Sequence, residues 1–224
     1  MEYIRMNNGY SQTDTDAFCR GDFTLPEYMP GWDLQSENYP LSEAFDHAFR
    51  HIVEENSKIN KDEARNRELT AYGRCDFRNG TDTVSAYEQI QLYNCYYMRR
   101  AYSAARALFE SNGGWLFSAV RNLSGRVVFC DLSYETGASG LAFIDACRRL
   151  PHLDLTYMGI YPTKEMDDIA LQFFQSEAYR HATHCFYPRI SAVPASFWAA
   201  HAVLSELIIF NVSSLFDRIS AREA

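Results

Sequence analysis

The chain has 224 residues, a formal net charge of -8 and an apolar content of 47%. That apolar content is enough to fill a core, so the composition argues against a wholly disordered protein. The negative charge argues against a surface that binds nucleic acid throughout, although it leaves room for a local basic patch.

The cysteine pattern predicts reduced thiols in a cytoplasmic protein. None of the six cysteines belongs to a CxxC pair, and no apolar run reaches the length of about 18 residues that a membrane-spanning helix needs. We therefore expect a soluble chain that does not enter a membrane. The run His181-Ala-Thr-His184-Cys185 contains residue types that bind metals, but no second ligand cluster accompanies it, so we expect no metal site.

The first half of the chain divides into an arm and a helical extension. Residues 1–40 are polar and aromatic with several turn signals, which predicts an irregular N-terminal arm. Residues 41–114 contain two helical patterns, and the second has capping-box spacing at Ser85 and Glu88 and ends at the Asn-Gly-Gly run that begins at Asn112. The tyrosines of this second helix either form a packed seam, which we favour, or contact a substrate. They are Tyr87, Tyr93, Tyr96 and Tyr97.

Short apolar runs alternate with helical patterns in residues 115–224. This alternation is typical of strand–helix–strand units with parallel strands. We therefore predict an α/β fold with a Rossmann-like parallel sheet, in which Val127–Leu132 lies between Leu155–Ile160 and Leu207–Val212. The other predicted elements are helices at 137–150, 164–176 and 195–204, a strand at 184–190, and a helix from Phe216 onward.

The end of the first predicted strand has the features of a ligand site. Asp131 closes the apolar run, and a loop at 133–140 leads into the N-terminus of the next helix, whose free N–H groups favour polar or anionic ligands. In a parallel sheet, ligands bind at the carboxyl ends of the strands, where the strand order reverses. The sequence therefore places the candidate site at Asp131, although this carboxylate is equally suited to capping the turn that follows.

Three segments resemble class I S-adenosylmethionine-dependent methyltransferases. The run from Asp131 to Phe143 is similar to their first motif, acid-x-Gly-x-Gly-x-Gly, and Tyr157–Met166 is similar to their second motif. Ile209–Phe216 resembles the end of their fourth strand. The resemblance covers about residues 83–224. It implies a methyltransferase type of Rossmann-like sheet with S-adenosylmethionine as the cofactor.

The resemblance also implies the cofactor-binding residues, and three positions depart from the family pattern. Ser133 and Glu135 stand where the family has its first two glycines, and Tyr161 stands where it has the acid that holds the ribose. A carboxylate at Glu135 would crowd or repel the cofactor, so we expect binding weaker than about 100 µM. The spacing assigns no catalytic residue. The candidate cofactor-binding residues are Asp131, Ser133, Glu135, Gly137, Tyr161 and Asn211.

Three functions are compatible with these features. The one we favour is a methyltransferase-fold protein with weakened or lost cofactor binding that acts as a subunit of a larger complex. The second is an active S-adenosylmethionine-dependent methyltransferase, with RNA as a possible substrate. The third is an enzyme for another nucleotide-like ligand that Glu135 and Tyr161 contact. A nicotinamide cofactor is disfavoured because no Gly-x-Gly-x-x-Gly run occurs.

The last predicted strand, at 207–212, indicates assembly. The family that the chain resembles has more strands than the four predicted here, so we expect a sheet that lacks its C-terminal strands. This strand carries no charge, and an exposed apolar edge strand is prone to aggregation. We expect either another protein chain or a segment beyond Ala224 to cover it.

Overall fold

The computed structural model describes residues 39–55, 77, 84–122, 125–132, 136–148, 150, 153–161, 163–203 and 207–212. These residues belong to one compact unit that spans 35–224. Nearly all of the predicted arm at 1–40, and the predicted helix from Phe216 onward, lie outside the described residues.

The strands form a parallel sheet with the order β3-β2-β1-β4. They are β1 (Arg126–Asp131), β2 (Asp154–Ile160), β3 (Thr183–Tyr187) and β4 (Leu207–Asn211). The prediction of an α/β fold with a parallel sheet, and with the first strand between the second and the last, is therefore confirmed. The methyltransferase type of this fold stays a prediction.

The register of the sheet brings the ends of three strands together. Asp131 of β1 lies opposite Gly159 of β2 and opposite Asn211 of β4. Because the strands are parallel, their carboxyl ends meet at the same edge of the sheet. This is the edge at which the sequence placed the candidate site.

Strand β1 is buried on both faces, which explains its unbroken apolar run. Val127, Val128, Phe129 and Cys130 are each at most 1% exposed. Phe129 belongs to the large core on the face that most helices cover, whereas Val128 and Cys130 pack with Met158 in a smaller cluster on the other face.

Seven α-helices are described. They are α1 (Glu43–Phe49), α2 (Ala86–Tyr93), α3 (Arg99–Ser111), α4 (Gly113–Asn122), α5 (Ala138–Cys147), α6 (Lys164–Gln175) and α7 (Ala195–Val203). A π-helical segment at Arg50–Glu54 extends α1, and a second one at Asn94–Met98 joins α2 to α3. None of the described helices is both long and apolar enough to cross a membrane.

Side chains cap the helices at the positions that the sequence indicates. The capping box at the start of α2 is confirmed, because the Glu88 N–H donates to Ser85 Oγ at 3.3 Å and the Ser85 N–H donates to Glu88 Oε2 at 2.9 Å. Ser42 caps α1 and Thr163 caps α6 in the simpler way, each accepting from a backbone N–H of the first turn.

Helix α4 was not predicted from the sequence. The Asn-Gly-Gly run does end α3, since Asn112 leaves the helical region with φ -100° and ψ 11°. However, the next residue, Gly113, already begins α4. A Cβ on Gly113 would lie 2.8 Å from the ring of Phe117, so the glycine makes room for a ring of the same helix. The breaker signal therefore marks a short interruption between two helices and not a loop.

The helical extension and the sheet share one core. All ten residues of α5 are buried. Phe109 of α3 meets Phe129 of β1 and Phe143 of α5 edge-on, with ring centroids 5.9 and 5.3 Å apart. Helix α5 is thus enclosed between the sheet and the extension, which explains why its sequence is apolar apart from Ser139 and Asp145.

A buried carboxylate, Asp145 of α5, connects four parts of this core. The hydroxyls of Ser42, Tyr102 and Tyr179 donate to Asp145 Oδ2 at 2.6, 2.6 and 2.7 Å. Arg148 forms an ion pair with the other carboxylate oxygen. These residues come from the start of α1, from α3, from the turn after α6 and from the end of α5. The cluster therefore fixes how α1 and α3 pack on α5, because a buried carboxylate is tolerated only while its partners are in place.

We predict that Ser42→Ala lowers the free energy of unfolding by about 2 kcal/mol, because it removes both the α1 cap and a donor to Asp145. Urea unfolding followed by circular dichroism measures this change. The matched control is Ser111→Ala, at the exposed end of α3, which should stay within about 0.5 kcal/mol of the unchanged protein. Equal stability of the two variants would show that the Asp145 cluster does not hold α1 in place.

Candidate functional site

The candidate site lies where β1, β2 and β4 end. Asp131 is the last residue of β1, Asn211 is the last residue of β4, and Tyr161 directly follows β2. Gly137 directly precedes α5. The structure thus brings four of the six predicted cofactor-binding residues to one place. Ser133 and Glu135 lie outside the described residues.

Asp131 is completely buried, and both of its carboxylate oxygens accept hydrogen bonds from side chains of the chain itself. The Tyr157 hydroxyl donates to Oδ2 at 2.9 Å, and the Asn211 amide donates to Oδ1 at 2.9 Å. These donors stabilise the buried charge. Each oxygen therefore has a donor from within the fold.

Tyr157 of β2 and Tyr161, which follows β2, continue this network. Their hydroxyls are hydrogen-bonded to each other, and both Tyr157 and Tyr161 are fully buried. Burial raises the pKa of the Tyr157 phenol well above its ordinary value, and the negative charge of Asp131 raises it further. Tyr157 therefore stays protonated at neutral pH, as its role as a donor to Asp131 requires.

Aromatic side chains lie beside Gly137, the glycine that the resemblance assigns to the cofactor. Gly137 has a φ of 87°, in the left-handed region that favours glycine. A Cβ there would lie 3.2 Å from the Phe174 ring, 3.6 Å from the Tyr161 hydroxyl and 3.7 Å from the Tyr157 hydroxyl. The backbone at Gly137 therefore faces the protein's own aromatic side chains.

Gly140, one turn further along α5, makes the closest approach. A Cβ on this residue would lie 2.0 Å from Cε2 of Tyr157, so any other residue would overlap with the ring. The same ring stacks on Phe174 of α6 with centroids 4.3 Å apart. Tyr157 is therefore held between α5 and α6, with its hydroxyl directed at Asp131.

Thr136, the residue before Gly137, is hydrogen-bonded to the helical extension. The Thr136 hydroxyl donates to the amide oxygen of Asn94 at 2.5 Å, and both residues are buried. Asn94 belongs to the π-helical segment between α2 and α3. Such segments often occur where a helix must direct a particular side chain. Here the segment turns Asn94 towards the start of α5.

Of the tyrosines in α2 and in the π-helical segment that follows it, some lie in the core and some lie at the surface. Tyr93 is buried and stacks on Tyr97 at 5.3 Å, as expected for a packed seam. Tyr87 is 48% exposed and accepts a hydrogen bond from the side chain of Gln91. The packed seam is thus seen for Tyr93 and Tyr97, and substrate contact by this helix stays a prediction.

Several site residues were missed by the sequence analysis. Tyr157, Gly140 and Phe174 shape the site as much as the predicted residues do. Tyr157 precedes Tyr161 by four positions on a strand, so the two side chains must share a face of the sheet. That spacing was the available signal. The positions of Gly140 and Phe174 depend on how α5 and α6 pack, which the strand pattern does not reveal.

His184 of β3 packs among aromatic rings. The His184 ring lies 5.6 Å from Phe174 and 5.8 Å from Phe186, measured between ring centroids. Within the part of the chain that the structure describes, no three His, Cys, Asp or Glu side chains converge as metal ligands.

No protein-family model, no curated protein and no solved structure matches this chain.

We predict that Gly140→Ala lowers the free energy of unfolding by about 3 kcal/mol, because the added methyl overlaps with the Tyr157 ring. Gly114→Ala is the matched control. Gly114 is an exposed helical glycine with nothing within 4 Å of an added Cβ, so its replacement should be neutral or stabilising.

A double-mutant cycle identifies the cause of the loss. In a Tyr157→Leu background, Gly140→Ala should cost less than about 1 kcal/mol, since the clashing ring is gone. A cost that stays the same in both backgrounds would mean that Tyr157 does not lie against α5 as described.

Proposed function

We propose that this chain is a Rossmann-like protein of methyltransferase-like type, with weakened or lost binding of S-adenosylmethionine, which acts as a subunit of a larger complex. The observation that carries the proposal is the network of Tyr157, Tyr161 and Asn211 around Asp131. In this network, the chain's own side chains make the contacts that a nucleotide-like ligand would otherwise make.

The residues at the strand ends do not fit the cofactor in their present arrangement. A ribose would need an acceptor after β2, but Tyr161 points its hydroxyl inward to Tyr157. The cofactor would also need to approach the backbone at Gly137, where aromatic atoms already lie at contact distance from the position of a Cβ. Binding would therefore require the expulsion of at least the Tyr161 side chain.

The cost of that expulsion is large enough to matter. Exposing a buried aromatic side chain costs about 2 kcal/mol, and breaking its hydrogen bond adds about 1 kcal/mol. Since each 1.4 kcal/mol changes a dissociation constant about tenfold, an otherwise micromolar ligand would bind about a hundred times more weakly. This estimate supports a dissociation constant above about 100 µM.

A thinly covered second face of the sheet supports the role as a subunit. Phe210 of β4 is 51% exposed and stacks on Trp198 of α7 with ring centroids 6.1 Å apart. Ile208, next to it on the same face, is only partly buried. Within the described residues, β4 pairs with β1 alone, so its other edge has no neighbouring strand. Apolar side chains at a sheet edge favour contact with another chain.

We predict that titration calorimetry of the unchanged protein with S-adenosylmethionine gives a dissociation constant above about 100 µM. The double variant Glu135→Gly/Tyr161→Asp restores the family pattern at both positions and should bind at least about ten times more tightly. Loss of the tyrosine side chain opens space beside Gly137, and the aspartate supplies the acid that holds the ribose. Tyr87→Asp, which changes an exposed tyrosine of α2, is the matched control and should not change the affinity.

Low-micromolar binding by the unchanged protein would contradict the proposal. It would instead support the active methyltransferase that the sequence left as an alternative.

A further inference from the structure

A groove of about 630 Å³ lies on the side of the helical extension, apart from the strand ends. It runs between α1, with its π-helical extension, and the end of α6 with the turn that follows. Its apolar lining comes mainly from small side chains. These are Ala44, Ala48, Ile52 and Ala178. The volume falls within the range of about 300–1,000 Å³ that ligand sites in proteins occupy.

The walls of the groove carry acidic side chains. Glu43 lies in the first turn of α1, and Glu177 lies in the turn after α6, so the two carboxylates belong to different walls. Both are exposed, and among the described residues neither forms a salt bridge. The other polar residues that line the groove are His47, His51, Gln172, Gln175 and Ser176.

We propose that this groove docks a basic amphipathic helix of a partner protein. Two helical elements form its walls, and an amphipathic helix commonly binds in such a groove with its apolar face inward. Small side chains in its lining, such as Ala44 and Ala178, let the backbone of a third helix approach closely. Lysine or arginine residues on either side of the apolar face then meet Glu43 and Glu177.

Charge distinguishes this partner from the other candidates. A second copy of the chain would bring a net charge of -8 towards an acidic groove. A membrane surface would present anionic headgroups to the same carboxylates. Glu43 and Glu177 would repel both a second copy and a membrane surface, whereas they attract a basic helix. A basic helix is therefore the partner that the groove fits.

This inference names a class of partner for the subunit. It rests on the proposed function only in assuming that the chain acts as a subunit. It does not depend on whether the strand ends bind S-adenosylmethionine. The two proposals therefore fail separately: cofactor calorimetry tests one, and helix binding tests the other.

The test uses the full chain and a fluorescein-labelled peptide of about 16 residues, with leucine and alanine on one helical face and lysines flanking them. Fluorescence anisotropy measures its binding beside two control peptides. One has the same composition in scrambled order, and the other has glutamate in place of every lysine. The amphipathic lysine peptide should bind at least about five times more tightly than either control.

Protein variants locate the binding site. Glu177→Lys should weaken binding of the lysine peptide about fivefold, because one rim carboxylate becomes a repelling charge. Asp154→Lys is the matched control, since Asp154 is an exposed carboxylate at the start of β2 that does not line the groove; this variant should bind normally. Ala44→Trp, which fills the groove, should weaken binding without a change in charge. Thermal unfolding checks that each variant is folded.

Three results would overturn the inference. One is a lack of binding by the lysine peptide up to about 1 mM. Another is equal binding of the scrambled peptide, which would indicate only a general attraction between opposite charges. The last is an equal effect of Glu177→Lys and Asp154→Lys, which would place the interaction away from the groove.

Discussion

The position of one phenol ring constrains the whole arrangement at the strand ends. Tyr157 lies so close to α5 that only glycine fits at position 140, and it stacks on Phe174 of α6 on its other side. Its hydroxyl then reaches the buried carboxylate of Asp131. Contacts with this one side chain therefore position α5, α6 and β1 relative to one another.

The buried charge of Asp131 requires hydrogen-bond donors, and this arrangement supplies them. A carboxylate withdrawn from water must be hydrogen-bonded, or the fold loses several kcal/mol. In many parallel-sheet proteins, an acid at a strand end is partly satisfied by a bound ligand. Here Tyr157 and Asn211 supply donors from within the chain. Both oxygens of this buried charge are therefore hydrogen-bonded within the fold.

Much of the architecture could be predicted from sequence patterns because local rules govern it. The apolar run of β1 indicated a buried parallel strand, and the spacing of Ser85 and Glu88 indicated a helix start. The meeting of Asp131 and Asn211 also followed, since parallel strands end at the same edge. These features depend on the spacing of apolar residues along the sequence and on hydrogen bonds between residues that are close in sequence.

Other features depend on distant packing and could not be predicted in that way. The direction of the Tyr161 side chain is determined by Tyr157, Phe186 and the backbone at Gly137, which come from three different elements. Helix α4 was missed because an Asn-Gly-Gly run indicates a break without showing whether a helix or a loop follows. The geometry at the positions that matter most for the proposed function is therefore determined by residues that are distant in the sequence.

The most direct test is a crystal structure of the protein soaked in a large volume of about 20 µM S-adenosylmethionine, a concentration at which a dissociation constant above about 100 µM leaves fewer than about one site in five occupied. The account predicts that Tyr157 and Tyr161 keep their hydrogen bonds and that no cofactor density lies between Asp131 and Gly137. Cofactor density against Asp131, with the Tyr161 side chain turned outward, would contradict it.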